Sequence, residues 1–291
     1  MKSKQFANTD ITISAIGLGA MPLSLSTRPS QSQAIAVIHR AISLGVTFID
    51  TADSYCQDEQ DKHHNERLLA KALQEYPGDR SKVKIATKGG LMRPRGEWRR
   101  NGNPEHLQKA IQSSFKALGG KEPIFLWQYH APDPDYSLQE SLRPVKQAVD
   151  AGFIRFVGVS NFSCEQIQQA QEIVEIASVQ NQYNPWQRQP ELDGVLAYCE
   201  REKLTFFPYR PLRGRYQVGT LADEPILQEI SAAHQASVYQ VVLAWLMEKS
   251  PCIVPIPGAS KLSSIEDSVR AVNVKLSPQD REKIDGLAPT K

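Results

Sequence analysis

The sequence has 291 residues, 41% of them hydrophobic, and its 34 basic and 32 acidic residues leave a formal net charge of +2. This near balance of charge argues against nucleic-acid binding, which demands an excess of basic residues. No apolar run approaches the roughly 18 residues of a membrane span. The length suits one large barrel domain or two smaller domains.

The compartment is predicted from the amino terminus and the cysteines. Residues 1–10 lack the apolar core of a signal peptide. The four cysteines are far apart and form no CxxC pair, which is typical of free thiols in a reducing compartment. We therefore expect a soluble cytoplasmic protein.

In chain order, the first predicted element is a hairpin at 4–14, where Ile11 and Ile13 alternate after a polar turn. Strand and helix patterns then alternate along the rest of the chain. The predicted strands cover 14–19, 46–49, 83–88, 124–130, 154–159, 178–182, 204–208 and 253–256. The predicted helices cover 31–44, 66–74, 104–118, 138–151, 164–176, 192–201, 226–234, 239–249, 262–269 and 278–286.

The alternation predicts the fold. Eight strands, each followed by helical pattern and with no Pro/Gly/Ser-rich linker between them, favour a single domain over 1–291. We expect a (β/α)8 TIM barrel with additional carboxyl-terminal helices. A Rossmann-type sheet is the alternative, but its GxGxxG fingerprint requires a third glycine where the run Gly17-Leu18-Gly19-Ala20-Met21-Pro22 ends in proline.

Polar residues follow the predicted strands at their carboxyl ends, which form one rim in a barrel and carry its chemistry. Tyr55 lies on the polar loop that follows the second strand. The residues expected at the rim are Asp50, Lys88, His130, Ser160, Asn161, Gln180, Tyr209, Arg210 and the run 258–260.

Three of these side chains predict proton chemistry around Tyr55. Lys88 beside Asp50 would stay cationic, and a nearby cation lowers the pKa of a phenol from its ordinary value of about 10. His130 can hydrogen-bond a substrate oxygen as negative charge develops there, provided that a neighbour fixes its tautomer. The set lacks a hydride source or a nucleophile, so we expect a cofactor to supply the missing reactant.

Asp50 and Tyr55 lie in the run Phe48-Ile49-Asp50-Thr51-Ala52-Asp53-Ser54-Tyr55, Lys88 ends Ala86-Thr87-Lys88, and His130 ends Trp127-Gln128-Tyr129-His130. In order and context these residues resemble the catalytic tetrad of the aldo-keto reductases. The similarity runs from the amino-terminal hairpin to the last helix. It implies that the hairpin closes the barrel floor.

Further motifs carry the same resemblance. The run Gly158-Val159-Ser160-Asn161-Phe162 is similar to the carboxamide-binding motif of that family, which implies that Ser160 and Asn161, with Gln180, hold a nicotinamide amide. Tyr209 is similar to the residue that stacks on the nicotinamide ring. The family resemblance thus implies NADPH/NADP+ as the cofactor. The remaining residues implied to bind it are Arg210, Pro211, Leu212, Gly258, Ser260, Lys261 and Asp267.

Some positions depart from the family pattern. Arg210 stands where serine is common, and we expect Arg210, Arg213 or Arg215 to meet the pyrophosphate, although a solvated loop fits as well. The run 256–268 resembles a variant in which Ser260 and Lys261 hold the 2′-phosphate. A charged contact from Lys261 would favour NADPH over NADH roughly ten- to hundredfold. Adenine contacts are less defined, since Asp267-Ser268 replaces the Glu-Asn pair of the family.

The resemblance implies reduction of small aldehydes or ketones to alcohols, with Tyr55 as the proton donor and short reactive carbonyls such as methylglyoxal as substrates. The alternative is an NADPH-binding sensor or regulatory subunit with slow turnover, like the potassium-channel β subunits of that family. The sequence leaves the physiological substrate and the oligomeric state open.

The same residues also admit other interpretations. Taken singly, Asp50 also fits a helix cap, Lys88 a surface charge and His130 a polar strand end. A barrel glycosidase needs two facing carboxylic acids, which the rim lacks. Cys56, His63 and His64 match no familiar zinc spacing, so no metal site is expected. The basic stretch 93–100 predicts a solvated loop that borders the rim, from which Trp98 or an arginine could touch substrate.

Overall fold

The structure, a computed structural model, describes residues 1–25 and 27–287, so residues 288–291 of the expected domain lie outside the described residues. The strands are Ser3–Gln5 (β1), Thr12–Ser14 (β2), Leu18–Gly19 (β3), Phe48–Asp50 (β4), Lys84–Gly89 (β5), Leu91–Met92 (β6), Arg99–Arg100 (β7), Ile124–Tyr129 (β8), Ile154–Ser160 (β9), Ile176–Gln180 (β10) and Thr205–Phe206 (β11).

One parallel sheet contains seven of these strands, in the order β11-β10-β9-β8-β5-β4-β3. Both edges of this sheet pair with the same stretch of chain: Gly258 forms a parallel bridge to Gly19 of β3, and Ile253 one to Phe206 of β11. The sheet therefore closes into a ring of eight chain segments, as the predicted (β/α)8 architecture requires.

The eighth segment is not a regular strand, so the prediction of a strand at 253–256 was wrong. Pro255 and Pro257 have no N–H to donate to a ladder. Their carbonyls instead accept from the backbone N–H groups of Gly17 and Gly19, at 2.9 Å each. The segment approaches so closely that a Cβ on Gly19 would lie 2.7 Å from the carbonyl oxygen of Ile256.

Eleven α-helices occur in the described ranges, and most begin within two residues of their predicted starts. They are Gln31–Ser43 (α1), His64–Glu75 (α2), Pro104–Ala117 (α3), Leu138–Asp150 (α4), Cys164–Gln171 (α5), Gln189–Leu192 (α6), Val195–Arg201 (α7), Pro225–His234 (α8), Val238–Lys249 (α9), Leu262–Arg270 (α10) and Pro278–Asp285 (α11). None of these helices is long and apolar enough to cross a bilayer.

Helix boundaries follow local chemistry. Ser30, Ser137, Ser163 and Ser277 each form a capping box that fixes the start of a helix. The helix predicted at 192–201 is divided at Gly194, whose φ of 81° lies in the left-handed region. The helix predicted at 164–176 ends earlier, at Gln171, and the following strand begins at 176 rather than at 178.

The amino-terminal hairpin, β1 paired with β2, packs against one end of the ring. Phe6 of its turn lies 5.0 Å from Phe125 and 5.3 Å from Phe156 between ring centroids, and both partners belong to the amino-terminal parts of their strands. Lys4 donates from Nζ to the carbonyl oxygen of Ile253 at 2.7 Å. The opposite, carboxyl ends of the strands carry the site described next.

Candidate active site

Lys88 lies at the centre of a buried cluster at the carboxyl end of the ring. Its ammonium, on β5, donates to Oδ2 of Asp50 at 2.7 Å, to Oη of Tyr55 at 3.0 Å and to the carbonyl oxygen of Thr51 at 2.9 Å. The Lys88 side chain is fully buried. The neighbouring strand β4 and its loop thus supply all three acceptors, and the hydroxyl of Tyr55 is held against a cation.

His130 follows β8 and lies beside Tyr55, with their ring centroids 6.0 Å apart. Its backbone N–H donates to the carbonyl oxygen of Gly89 at 2.9 Å, which fixes the residue at the rim. Within the described residues, its Nδ1 atom is buried without a hydrogen-bond partner. The four predicted catalytic side chains therefore lie together, but no neighbour fixes the tautomer of His130 through Nδ1.

The phenol of Tyr55 differs from the sequence-based expectation. Burial raises the pKa of Tyr55 above its ordinary value, and the opposing effect of Lys88 does not cancel it. The prediction of a lowered pKa was therefore wrong, because desolvation of the phenolate outweighs the attraction of the ammonium. Tyr55 is accordingly protonated at neutral pH, as a proton donor must be.

Lys88 and His130 hold definite charge states. Burial disfavours the charged form of Lys88, yet the Asp50 carboxylate and Tyr55 together keep its pKa above the ordinary value, so it is an ammonium. Burial, and then the charge of Lys88, hold the pKa of His130 well below its usual range. His130 is therefore a neutral imidazole that can donate one hydrogen bond without adding charge.

Predicted cofactor residues form a row beside this cluster. Gln180 donates from Nε2 to Oδ1 of Asp50 at 2.9 Å. Asn161 donates to Oγ of Ser160 at 3.1 Å and accepts from the hydroxyl of Tyr209 at 2.9 Å. Asn161 has a φ of 63°, an uncommon value that directs its amide back toward the rim. Polar amide groups and an aromatic ring thus lie in the same rim region as the phenol of Tyr55.

The predicted pyrophosphate loop follows Tyr209. Arg210 is exposed with a φ of 50°, Pro211 is buried and Leu212 is half-buried against the core. Arg213 places its guanidinium 4.6 Å from the ring centroid of Trp186, while Arg215 is exposed beside Tyr216.

The last predicted cofactor residues lie just before α10 and, for Asp267, within it. Gly258 lies at the ring-closing bridge, Ser260 is half-buried, and Lys261 is exposed at the position before the first turn of the helix. Both carboxylate oxygens of Asp267 point to α9, since they accept from Ser237 at 2.7 Å and from Gln240 at 2.6 Å. This arrangement gives Asp267 a structural role in joining two helices.

Two site features were missed by sequence reasoning. Gln128 is buried on β8 and donates to Oδ1 of Asp50 at 3.3 Å. The sequence could have indicated Gln128, because the two-residue period of a strand places it on the same face as His130. Asp53 is fully buried, and neither of its carboxylate oxygens has a hydrogen-bond partner in the described chain. Burial raises the pKa of Asp53 to about 6, with Lys62 at 3.5 Å opposing the shift.

The basic stretch 93–100 is more ordered than expected. It lies within a small hairpin, β6 paired with β7, that adjoins the rim. Trp98 lies 6.5 Å from both Tyr55 and His130 between ring centroids. Arg93 is buried rather than solvated and stacks on Trp98. The expectation of a solvated loop therefore fails for Arg93, because burial of this side chain depends on contacts distant in sequence.

Metal chemistry gains no support from the histidines. His63 contacts the carboxylate of Glu66 at 2.6 Å through Nδ1, and His64 contacts Oγ of Ser24 at 2.7 Å. Across 1–25 and 27–287 the structure contains no group of three metal-ligating side chains.

Comparisons with known proteins agree on the family to which this chain is similar. Residues 15–289 match the sequence profile of the Aldo/keto reductase family. An uncharacterized oxidoreductase of Schizosaccharomyces pombe is 35% identical over 282 residues, covering 95% of this chain and 87% of that protein.

Solved structures share the architecture. A thermostable aldo-keto reductase crystallised with the inhibitor epalrestat superposes with a TM-score of 0.82 at 28% identity, covering 99% of this chain and 100% of the other. An aldo/keto reductase of Klebsiella pneumoniae in complex with NADP and acetate has a TM-score of 0.83 at 24% identity, covering 100% of this chain and 96% of the other. This chain belongs to the aldo/keto reductase family.

Proposed function

We propose that this protein reduces aldehydes or ketones to alcohols with NADPH as the hydride donor. The observation that carries the proposal is the contact of Tyr55 Oη with Lys88 Nζ at 3.0 Å, while the same ammonium pairs with Asp50 at 2.7 Å. A protonated phenol backed by a buried cation is suited to give a proton to a developing alkoxide.

The chain fits a nicotinamide cofactor at this rim. The hydroxyl of Tyr209 donates to Asn161, whose amide donates to Ser160, and the amide of Gln180 lies beside Asp50. These amide and hydroxyl groups match a carboxamide on a flat aromatic ring. NADPH would supply the hydride that no side chain can. Because it lies before the first turn of α10, Lys261 can meet a 2′-phosphate together with Ser260.

The remaining steps belong to this chain's own residues. His130, a neutral imidazole, donates a hydrogen bond to the substrate carbonyl oxygen and polarises it. Tyr55 then gives its proton to that oxygen as the alcohol forms. Lys88 stabilises the phenolate that remains, and Asp50 keeps Lys88 charged.

The proposal also covers the substrates, the extent of the catalytic domain and the role of the hairpin. We assign short reactive carbonyls, such as methylglyoxal, as substrates and Trp98 as a wall of the substrate opening, since its ring adjoins Tyr55 and His130. The catalytic domain spans the whole chain, and the hairpin closes the floor of the barrel, which the contacts of Phe6 support.

A panel of small aldehydes, assayed with NADPH and NADH in parallel, tests the function. We expect steady-state turnover of several aldehydes, with NADPH preferred. Tight NADPH binding with only a few slow turnovers across the panel would contradict reduction as the main activity and would support a sensor or regulatory subunit.

A further inference from the structure

Trp98 forms part of the surface that a substrate bound at Tyr55 and His130 would meet. Its ring plane stands at 85° to that of Tyr55 and at 65° to that of His130. The side chain is 46% exposed, so much of the indole is available to a ligand. A carbonyl compound whose oxygen lies between Tyr55 and His130 would carry its substituent beside this indole.

Arg93 packs on the same indole. Its Cζ atom lies 3.9 Å from the ring centroid of Trp98, a close cation–π contact. Only 7% of Arg93 is exposed, and its Nε and Nη1 atoms have no hydrogen-bond partner in the described chain. A buried guanidinium so poorly hydrogen-bonded is costly to the fold. The face of Trp98 is a favourable contact that partly compensates for this burial.

Arg93 is itself fixed to the loop that carries the proton donor. Its Nη2 donates to the carbonyl oxygen of Gln57 at 3.2 Å, and its backbone N–H donates to Oε2 of Glu59 at 2.6 Å. Both acceptors follow Tyr55 within four residues of sequence. Arg93 therefore joins two rim segments, the loop after β4 and the hairpin of β6 and β7, and sets the position of Trp98 relative to Tyr55.

We propose that Arg93 is a positioning residue: by stacking on Trp98 it fixes this wall of the substrate opening and extends the accepted substrates from short carbonyls to those with ring-sized apolar substituents. The inference rests on the proposed function, since it takes Tyr55 and His130 as the site of carbonyl reduction. The guanidinium acts through the indole and does not itself bind the substrate.

The test compares three aldehydes with NADPH: propanal, 4-methylbenzaldehyde and 4-carboxybenzaldehyde. For Arg93→Met we expect the KM of both aromatic aldehydes to rise about three- to tenfold, with kcat nearly unchanged and propanal unaffected. Trp98→Ala should give the same pattern, and the double variant should be no worse than Trp98→Ala. Arg93→Lys, which keeps the charge but loses the planar stack, should give a smaller KM effect.

A matched control is Arg99→Met, because Arg99 lies on the same hairpin but is exposed and pairs with Glu97. It should behave as the parent enzyme. Unchanged KM values in both Arg93 variants would overturn the proposal. So would an effect confined to 4-carboxybenzaldehyde, which would mean that the guanidinium binds the substrate anion directly.

A second measurement tests the positioning role of Arg93 without an enzyme assay. Acrylamide quenching of tryptophan fluorescence, with Trp98→Phe variants used to isolate the Trp98 signal, should show greater access to Trp98 in both Arg93 variants than in the parent protein. Equal quenching would contradict the positioning role. If the parent protein turns over none of the aldehydes, the proposed function fails, while quenching still decides whether Arg93 fixes the indole.

Discussion

The amide nitrogen of Gln180 lies 2.9 Å from Oδ1 of Asp50, so a residue proposed to hold the cofactor also contacts the carboxylate that pairs with Lys88. The hydrogen-bond path continues from Lys88 to the hydroxyl of Tyr55. The proposed cofactor residue Gln180 and the proposed proton donor Tyr55 are therefore parts of one buried polar network.

Tyr55→Phe should lower kcat about 10²- to 10⁴-fold, because it removes the proton donor and leaves the packing of the ring. The dissociation constant for NADPH, measured by fluorescence titration, should change little, since the hydroxyl acts on the substrate. Near-normal turnover in this variant would place the proton donor elsewhere.

Asp53→Asn should stabilise the protein at neutral pH. Burial raises the pKa of Asp53 to about 6 in the folded protein, so the ionised carboxylate destabilises the native state. This loss of folding stability is absent below pH about 4, where Asp53 is protonated in both the folded and the unfolded state. It grows between pH about 4 and about 6 and amounts to about 3 kcal/mol above that range.

Denaturant unfolding at pH 4 and pH 8 measures this effect. The variant should gain stability over the parent at pH 8 and little at pH 4. Asp10→Asn, at an exposed position in the amino-terminal hairpin, serves as the control and should change neither value. A loss of stability in Asp53→Asn at pH 8 would show that ionised Asp53 stabilises the fold.

Lys261→Ala should reduce the preference for NADPH over NADH about ten- to hundredfold, because one charged contact with the 2′-phosphate is removed. The ratio of kcat/KM for the two cofactors is the measurement. Lys275→Ala changes an exposed lysine beyond the far end of α10 and should leave the ratio unaltered. Retained selectivity in Lys261→Ala would assign phosphate recognition to another residue.

Gly19→Ala should destabilise the protein by about 1–3 kcal/mol, because the added Cβ would meet the carbonyl oxygen of Ile256 at 2.7 Å. Gly219→Ala is a matched control, since a Cβ there meets no atom of the described residues within 4 Å. Unfolding in urea compares the two. Equal stability of both variants would mean that the ring-closing segment can shift at little cost.

The sequence predicted the alternation and the tetrad because both are local patterns. Buried β-branched runs mark strands, and polar residues at the ends of those runs mark the rim, as at Asp50 and Lys88. The eighth segment was misjudged as a regular strand because an apolar run carries no information about which N–H groups find partners around Pro255 and Pro257.

The burial of individual side chains could not be predicted from the sequence. The rise in the pKa of Tyr55 follows from desolvation, and the exposed fraction of a side chain depends on segments far away in the chain. The same reason explains why Arg93, in a basic stretch, was expected in solvent. Trp98 was expected to border the rim and to be one of the side chains that could touch substrate. Its distance to His130 could not be predicted, since it depends on how a separate hairpin folds over the site.

The hydrogen bonds of Lys4 constrain the order in which the chain can fold during synthesis. Its ammonium is hydrogen-bonded to the carbonyl of Ile253, 249 positions later, and to that of Met247. During synthesis the hairpin leaves the ribosome well before its partner, which emerges only after residue 253 has been translated. The amino-terminal segment must therefore wait, unpaired at Lys4, until the last part of the ring is available, and a nascent chain that stops before residue 253 lacks this contact.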